Sequence, residues 1–344
     1  MNNSFASTIE KWYANHCREL PWRDTRDPYL IWVSEIILQQ TRVAQGLDYY
    51  LRFTERFPSV ESLASASEDE VLLLWQGLGY YSRARHLREA AQQVVELGHF
   101  PKNYVELRRL SGVGDYTAAA IASFAYGEPR AVLDGNVFRV LSRYLGVDEA
   151  IDSTKGRKTF RALADAMLDP HHPALYNQAI MDFGAMVCSP QPQCVVCPLL
   201  NSCQAFRDHR QAELPVKAKA KVPKERHLIY IYAREGGKML LRRRSSNDIW
   251  KGLYELPVIE YDSTKEHPSV PDGAHLVAEG ITHRLTHRLL IADAYLLDVS
   301  TQSHRKWVEE MQGEGYQWVA ESDRDQFAVP RLIEDIYSKC ALFF

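Results

Sequence analysis

Four of the six cysteines lie close together, with the spacing C-x5-C-x2-C-x5-C, at Cys188, Cys194, Cys197 and Cys203. Neighbouring thiols can form disulfides, a zinc site or an iron–sulfur site. A chain of this size needs no disulfides, and no secretory signal directs it out of a reducing cytosol. Structural zinc prefers two C-x2-C pairs well separated in sequence, whereas one such pair between two five-residue loops suits the wider spread of a [4Fe–4S] cluster. The spacing favours the cluster, with zinc as the alternative.

Two acidic residues have surroundings that suit acid and anion chemistry. Glu35 lies in the apolar helical segment IWVSEIIL, where partial desolvation would raise the pKa of its carboxyl group. Asp134 precedes the predicted helix NVFRVLSRYL, whose N–H groups and dipole would lower its pKa. Such a pair could cleave an N-glycosidic bond through an oxocarbenium-like state. A buried ion pair for Glu35 and a simple N-cap for Asp134 are the alternatives.

A Gly-x-Gly turn joins two predicted helices in the stretch LSGVGDYTAAAIASFAYG (110–127). Gly112 and Gly114 would let the backbone turn with its N–H groups pointing outward, next to the positive end of the second helix dipole. This arrangement can bind a phosphate with little positive side-chain charge. An ordinary connection between two helices is the alternative.

The elements that must position these residues fall into two regions. Up to residue 209 the apolar residues recur with helical spacing, which predicts a mostly α-helical region that includes the cysteines. Residues 210–226 are rich in Lys and Ala and bounded by proline, which predicts an exposed linker. Residues 227–344 predict an α+β domain, with strands over 227–234, 238–244 and 289–299 and a final helix over 330–340.

The composition is that of an ordinary globular protein. Of the 344 residues, 46% are hydrophobic and the formal net charge is −3, so any nucleic-acid-binding surface must be local. The N-terminus has no apolar signal segment and the chain has no run of 18 apolar residues, so we expect a cytoplasmic protein without a membrane span. Nothing in the sequence requires more than a monomer.

Several motifs together resemble a known family. The Gly-x-Gly hairpin, LDGNVFRVL (133–141) and the four cysteines are similar to the endonuclease III, or helix-hairpin-helix, superfamily of base-excision enzymes. LPWRDTRDPYLIWVSEIILQQTRV (20–43), WQGLGYYSRARHL (75–87) and NQAIMDFGAMVC (177–188) look like the adenine DNA glycosylases of the MutY family. The resemblance implies a six-helix barrel beside a [4Fe–4S] module. It also implies removal of adenine opposite 8-oxoguanine or guanine in double-stranded DNA.

The resemblance assigns catalytic roles. Glu35 would protonate the adenine at N7, Asp134 would stabilise the sugar cation, and Asn136 would help to position the sugar. Tyr116 occupies the position at which bifunctional members of the superfamily carry a lysine. Because a tyrosine offers no amine for a Schiff base, we expect a monofunctional enzyme that leaves an abasic site.

The resemblance also implies which residues contact the DNA. A flipped base must be held, and the gap that it leaves must be filled. The adenine would be held by Trp22, Arg23 and Gln178, and the helix near the orphaned base would be entered by Gln40 and Tyr80, with Thr41 beside them. The alternatives are packing aromatics and a solvated helix end. Arg42, Arg83 and Arg85 would contact phosphates.

The C-terminal region resembles a Nudix domain through WKGLYELP (250–257), but the acidic R-E-x-x-E-E helix of the hydrolases is absent. The resemblance therefore implies a recognition domain. The family reads 8-oxoguanine through a loop of the form H-x-F-S-H, and the matching residues are His283 to His287, with Leu285, Thr286 and His287 in the reading positions. Leu285 replaces an aromatic residue, and Thr286 keeps a hydroxyl group.

Two other positions depart from the family pattern. The first interval between cysteines is one residue shorter than in the family, and its loop, SPQPQ, carries no cation. Ser111 replaces a proline of the hairpin, which reduces turn rigidity. Other functions to be weighed are a pyrimidine or thymine mismatch glycosylase of the same superfamily, and a DNA-binding sensor that uses a redox cluster without catalysis.

Overall fold

The chain folds into two compact units. The computed structural model describes residues 2–218, 222–245 and 248–343. Unit 1 comprises Met1–Ala64 and Glu89–Lys219, and unit 2 comprises Ser65–Arg88 and Ala220–Phe344. The sequence predicted one helical region over residues 1–209, whereas the contacts group Ser65–Arg88 with the C-terminal residues. This segment is helical, but its packing partners lie far away in sequence.

The first two hundred residues are helical, as predicted. The described helices are α1 (Asn2–His16), α2 (Pro28–Leu38), α3 (Val43–Arg56), α4 (Val60–Ser65), α5 (Glu68–Trp75), α6 (Ser82–Leu97), α7 (Tyr104–Leu107), α8 (Asp115–Tyr126), α9 (Gly135–Leu145), α10 (Thr154–Met167), α11 (Pro173–Met186) and α12 (Gln204–Arg207). Local signals set their ends. The Ser67 side chain caps α5, and Gly127 and Gly146 end α8 and α9 in the left-handed conformation that glycine adopts without strain.

The largest described core of unit 1 lies between α1, α8, α9, α10 and α11. It contains the fully buried Phe5 and Ile9 of α1, Leu141 of α9, Phe160 of α10 and Phe183 of α11. Burying such side chains contributes about 1.5–3 kcal/mol each. The packing places the start of α9 against α11, so the position of Asp134, the residue before α9, depends on elements distant in sequence.

Unit 2 contains a mixed sheet. Its described strands are β1 (Lys224–Glu235), β2 (Lys238–Arg243), β3 (Tyr254–Glu255), β4 (Val258–Tyr261), β5 (His275–Arg284), β6 (Arg288–Asp298) and β7 (Gln317–Ala320). The main order is β3-β2-β1-β6-β5, while β4 pairs with β1 and β7 pairs with β2. Only the β1–β6 pairing is parallel among these described strands.

In the described part of the C-terminal region, the α-helices are α13 (Gln302–Gly313) and α14 (Arg331–Cys340). Alternate residues of β1 enter two different cores, as the two-residue period of a strand requires. Tyr230 and its alternate neighbours pack in the core that contains Ile333 and Ile336 of α14, whereas Ile229 and Ile231 pack in the core that contains Val308 of α13. A helix therefore packs on each face of β1.

The α+β character of this region, its turn at Gly236–Gly237 and its final helix are confirmed. One boundary differs: β1 begins at Lys224, so residues 224–226 are strand and not linker. Leu214, also within the predicted linker, is buried, and its carbonyl accepts a hydrogen bond from Nε of Arg143. Among the described residues, no helix combines the length and apolarity needed to cross a membrane.

Candidate active site and cysteine cluster

Glu35 is buried inside α2. This helix begins with Pro28 after the capping residue Asp27 and is apolar around Glu35, whose exposed fraction is only 6%. Burial is the main cause that raises the pKa of Glu35, to about 7. The Tyr116 hydroxyl donates a 2.6 Å hydrogen bond to Oε2 of Glu35, which lowers the pKa, while the nearby charge of Asp134 raises it. Glu35 can thus hold a proton near neutral pH.

Asp134 caps α9, but its electrostatics differ from the prediction. Its carboxylate accepts hydrogen bonds from the backbone N–H of Val137 at 2.7 Å and from the Asn136 side-chain amide at 2.9 Å. The sequence predicted a lowered pKa, which was wrong. Desolvation is the largest cause and raises the pKa of Asp134 despite these bonds. The residue keeps some exposure, so its carboxyl group lies in a recess where protein replaces most of its water.

Arg139 connects the start of α9 with the first cysteine. Its guanidinium donates hydrogen bonds of 2.7 Å to the Asn136 side-chain oxygen, to the Gly184 carbonyl and to the Cys188 carbonyl. Its charge also lowers the pKa of Asp134. Gly184 allows α11 to approach closely, because a Cβ atom at this position would lie 2.8 Å from Cβ of Asn136. These contacts define where Asn136 can lie beside Asp134.

A buried carboxylate that the sequence analysis missed lies next to this site. Asp182 of α11 is fully buried and receives hydrogen bonds from Arg23, at 2.5 and 2.6 Å, and from Arg18. Burial alone would raise the pKa of Asp182, but the hydrogen bonds and charges of the two arginines lower it. The charge of Arg23 also lowers the pKa of Glu35. The sequence signal that could have identified Asp182 is an acidic residue inside the otherwise apolar helical segment IMDFGAM (180–186).

The other residues predicted to hold the adenine are held by protein contacts. The Tyr13 hydroxyl donates a 3.0 Å hydrogen bond to Oε1 of Gln178. Trp22 is buried and packs edge-to-face against Tyr50, with 5.0 Å between ring centroids. Trp22 is therefore fixed by packing, and 7% of its surface is open.

The Gly-x-Gly hairpin has the predicted form. Gly112 has a φ of 69°, and Gly114 is the N-cap residue of α8. Both glycines are exposed, and a Cβ atom on Gly114 would meet no atom within 4 Å. Arg108 fastens the turn through a 2.7 Å hydrogen bond to the Val113 carbonyl. The open backbone at the start of α8 is accessible to an anion.

Two predicted DNA-contacting residues follow α2. Gln40 is exposed and has a φ of 59°, which is uncommon for a residue with a side chain. Thr41 is partly buried, and its hydroxyl lies 3.5 Å from the Gln39 carbonyl. The backbone conformation of Gln40 directs the chain into α3 and marks this junction as a strained position.

The four clustered cysteines are free thiols of intermediate exposure. Cys194 begins one short 3-10 helix (Cys194–Val196), and Cys203 follows another (Leu200–Ser202). Burial is the main cause that raises the pKa of Cys197, to about 11, and the nearby charges of Cys188, Cys203 and Cys194 act in the same direction. Among the described residues, no three Cys, His, Asp or Glu side chains form a site for a single metal ion.

Arg143 of α9 supplies a positive charge at the cysteines. It is only 4% exposed. In the part of the chain that the structure describes, its hydrogen-bond acceptors are three backbone carbonyls and Sγ of Cys188, at 3.6 Å. A buried guanidinium without a carboxylate partner is costly, so this environment suits a negatively charged group held by the thiols. The donor set therefore fits an anionic thiolate cluster.

Unit 2 contains a cavity of about 670 Å³ that is lined by several of the predicted recognition residues. Tyr80 is 49% exposed at its edge, and its hydroxyl lies 3.3 Å from Oγ1 of Thr286. His283 is the penultimate residue of β5, and Thr286 and His287 are exposed in the turn before β6. Leu285 is partly buried and packs against the core beside α14. Tyr80 and Thr286 are therefore in contact, while Leu285 is directed in part to the core.

Comparisons with known proteins agree with this architecture. The family model of the HhH-GPD superfamily base excision DNA repair proteins matches residues 33–165, and that of the NUDIX domain matches residues 228–339. The solved structure of a thermostable thymine-DNA glycosylase matches with a TM-score of 0.56 and 30% identity, over 60% of this chain and 97% of that one. An endonuclease III–DNA complex matches with a TM-score of 0.51 and 23% identity, over 60% of this chain and 95% of that one, and supports the fold.

Several sequence relatives are adenine DNA glycosylases. The adenine DNA glycosylase of Buchnera aphidicola subsp. Schizaphis graminum is 31% identical over 305 residues, which cover 86% of this chain and 88% of the relative. The adenine DNA glycosylases of Mus musculus and Homo sapiens are 36% and 44% identical over 77% and 61% of this chain, which spans 62% and 41% of their lengths. With HhH-GPD and NUDIX matches along the chain and 31% identity to the Buchnera relative over 86% of this chain, this protein belongs to the adenine DNA glycosylase family.

Proposed function

We propose that this protein hydrolyses the N-glycosidic bond of adenine mispaired with 8-oxoguanine or guanine in double-stranded DNA, and leaves an abasic site. The observation that carries the proposal is the buried Glu35, whose pKa is raised to about 7, hydrogen-bonded to Tyr116 and close to Asp134. The names of the relatives support adenine as the base.

Glu35 acts as the general acid in this proposal. Its protonated carboxyl group donates to N7 of adenine, which makes the base a better leaving group. As the bond to the sugar breaks, positive charge develops on the sugar, and ionised Asp134 stabilises it. Asn136 and the N–H of Val137 hold the Asp134 carboxylate through hydrogen bonds. Water then attacks the sugar cation and gives a proton to the Glu35 carboxylate, which restores the acid, while adenine leaves as the neutral base.

Tyr116 makes the proposed reaction monofunctional. A bifunctional enzyme needs an amine that forms a Schiff base with the sugar. The group that contacts Glu35 at this position is the Tyr116 hydroxyl, which cannot form one. We therefore expect the DNA strand to remain intact after base removal.

DNA binding is proposed to involve separate contacts in each unit. The exposed backbone at Gly112 and Gly114 suits a backbone phosphate at the start of α8. Trp22, Arg23 and Gln178 would border the extruded adenine, and Gln40 and Thr41 would contact the DNA beside the gap. In unit 2, Tyr80, Leu285, Thr286 and His287 would read the opposite base.

We infer that Cys188, Cys194, Cys197 and Cys203 bind one [4Fe–4S] cluster. The nearby charges of the other three thiols at Cys197, the buried guanidinium of Arg143 and the single C-x2-C pair between two five-residue loops support the cluster over zinc. When bound, the cluster would hold the loop between Cys188 and Cys203 in place. No catalytic step is assigned to it. Arg139 would connect this loop to Asn136, because it donates hydrogen bonds to the Cys188 carbonyl and to the Asn136 side chain.

A labelled duplex with one adenine opposite 8-oxoguanine tests the function. Cleavage of the adenine strand only after alkali treatment would support base removal without lyase activity. Scission without alkali would mean that another group supplies an amine. Binding without base removal, or removal of thymine from a G·T duplex but not of adenine, would refute the proposal. Glu35→Gln is the inactive control, since its side chain keeps an acceptor for Tyr116 but supplies no acidic proton.

A further inference from the structure

The turn that carries Tyr80 has an unusual backbone. We use the name Tyr80 turn for residues Gly77–Tyr80, which connect α5 to α6. Gly77, Gly79 and Tyr80 have φ values of 90°, 72° and 49°. Glycine adopts such angles freely, but a tyrosine in this region is strained. Conformations of this kind persist where surrounding contacts hold them.

Some of these contacts come from the same segment. The Trp75 indole N–H donates a 3.1 Å hydrogen bond to the Gly79 carbonyl, and the Arg83 guanidinium donates one of 3.2 Å to the same oxygen. Trp75 is fully buried, which makes it a rigid anchor. These bonds restrain the backbone of the Tyr80 turn through residues that adjoin it in the sequence.

A second set of contacts comes from residues 329–334, far along the chain but in the same unit. The Gln76 side-chain amide donates a 2.5 Å hydrogen bond to Oε1 of Glu334, and its oxygen accepts one of 3.1 Å from the Val329 N–H. The Tyr81 hydroxyl donates to the Val329 carbonyl at 3.4 Å and accepts from the Gly77 N–H at 3.3 Å. We call these four residues, Gln76, Tyr81, Val329 and Glu334, the Val329 clamp.

We propose that Gln76 is a positioning residue that sets the Tyr80 side chain for discrimination between 8-oxoguanine and guanine opposite adenine. The inference rests on the proposed function and adds a determinant of specificity to it. Gln76 is the residue before the Tyr80 turn, and its amide uses both its donor and its acceptor in the clamp. The clamp fixes the turn relative to α14, while Tyr80 reaches Thr286 at the edge of the cavity.

The chemistry of the clamp explains why glutamine is needed at this position. A carboxylate at position 76 would still accept from the Val329 N–H, but it would face the carboxylate of Glu334. An apolar side chain would remove the hydrogen bonds of residue 76 to the part-buried Val329 N–H and Glu334 carboxylate, which is unfavourable. In either case the hydrogen bonds between residue 76 and residues 329–334, which hold the Tyr80 turn, are weakened. Tyr80 then loses its defined position relative to Thr286.

A charge exchange tests the proposal. The variants are Gln76→Glu, Glu334→Gln and the double variant. Ser338→Ala is the control, because exposed Ser338 donates to the backbone carbonyl of Glu334 and not to the carboxylate that Gln76 contacts. The measurement is the single-turnover rate of adenine removal opposite 8-oxoguanine and opposite guanine. We expect Gln76→Glu to lower the ratio of these rates about tenfold, the value of one lost hydrogen bond.

The double variant distinguishes a positioning role of Gln76 from a general loss of structure. Its introduced amide at position 334 can donate to the introduced carboxylate at position 76, so we expect the ratio to return to within about twofold of the wild-type value. An unchanged ratio in Gln76→Glu, or a double variant no better than that single variant, would overturn the proposal. Hydrogen exchange of the Val329 amide adds a readout independent of catalysis: it should accelerate in Gln76→Glu and recover in the double variant.

The two proposals fail in different ways. If the wild-type protein removed no adenine, the proposed function would fail and the specificity role of Gln76 would fall with it, whatever the exchange of Val329 showed. If the wild-type protein removed adenine and the ratio did not respond to Gln76→Glu, only the role of Gln76 would be overturned. Ser338→Ala should match the wild type in both readouts.

Discussion

The Tyr116 hydroxyl donates a 2.6 Å hydrogen bond to Oε2 of Glu35, although the two residues lie on different helices. This bond favours the ionised form of Glu35, while burial favours the protonated form and is the larger effect. Burial also raises the pKa of Tyr116 well above its ordinary value, so Tyr116 stays a hydrogen-bond donor throughout the working range of pH. The pair sets the pH at which Glu35 can supply a proton.

The first prediction concerns the pH dependence of base removal. Since Glu35 must be protonated and its pKa is raised to about 7, the single-turnover rate should decline above about pH 7. Tyr116→Phe removes a hydrogen bond that lowers this pKa, so the decline should move to higher pH. Rate profiles between pH 5 and 9 measure the shift. A profile whose decline stays in place would mean that another group controls it.

The second prediction concerns stability. The Glu35 pKa rises from 4.5 to about 7 on folding, so the native state binds the proton more tightly and stability falls as pH rises between these values. Glu35→Gln has no such titration. Its unfolding free energy should exceed that of the wild type by about 3 kcal/mol at pH 8, with little of this gain at pH 4.5. Thermal unfolding at several pH values measures this difference. If the unfolding free energies of the wild type and Glu35→Gln changed in parallel with pH, the prediction would be contradicted.

The third prediction concerns the close approach of α11 to α9. Gly184→Ala would place a Cβ atom 2.8 Å from Cβ and 3.1 Å from the carbonyl oxygen of Asn136. The first turn of α9 must move, which should reduce the single-turnover rate at least tenfold and destabilise the fold by about 1–3 kcal/mol. Gly313→Ala, in a helix where a Cβ meets nothing within 4 Å, is the control. Equal rates in both variants would show that α9 tolerates the displacement.

The fourth prediction concerns Arg139. Arg139→Met keeps much of the side-chain volume but removes the bonds to Asn136 and to the carbonyls of Gly184 and Cys188. Because the charge of Arg139 lowers the pKa of Asp134, its loss should raise that pKa. The acidic limb of the rate profile should then move to higher pH. Arg157→Met, at an exposed position of α10, is the control, and a profile like that of this control would argue against the role.

The fifth prediction concerns the cysteines. Cys203→Ala should lose the bound iron and the absorbance near 400 nm that a [4Fe–4S] protein shows, because one of the four ligands is missing. Cys17→Ala changes an exposed cysteine outside the cluster and should keep both. Metal analysis of the purified proteins measures iron and zinc together. Zinc in the wild-type protein, without iron, would establish the alternative site.

The sequence by itself determined the features that depend on near neighbours along the chain. The apolar segment around Glu35 predicted desolvation, and burial is indeed the main cause of the raised pKa. Capping residues and glycines predicted the helix and hairpin boundaries, and the alternation of residues predicted the principal strands. Each of these properties follows from a local period or a local backbone requirement. The order of residues along the chain is therefore sufficient to predict it.

The tertiary structure decided the properties that depend on what packs around a residue. The local N-cap of Asp134 predicted a lowered pKa, but surrounding protein removes its water and raises it. Asp182 accepts hydrogen bonds from Arg18 and Arg23, which lie far away in sequence. The Val329 clamp, likewise, joins Gln76 to residues more than two hundred positions later. The desolvation of a helix-capping residue such as Asp134, and hydrogen bonds between residues distant in sequence, depend on which elements pack together in three dimensions, and the local pattern of residues did not show this.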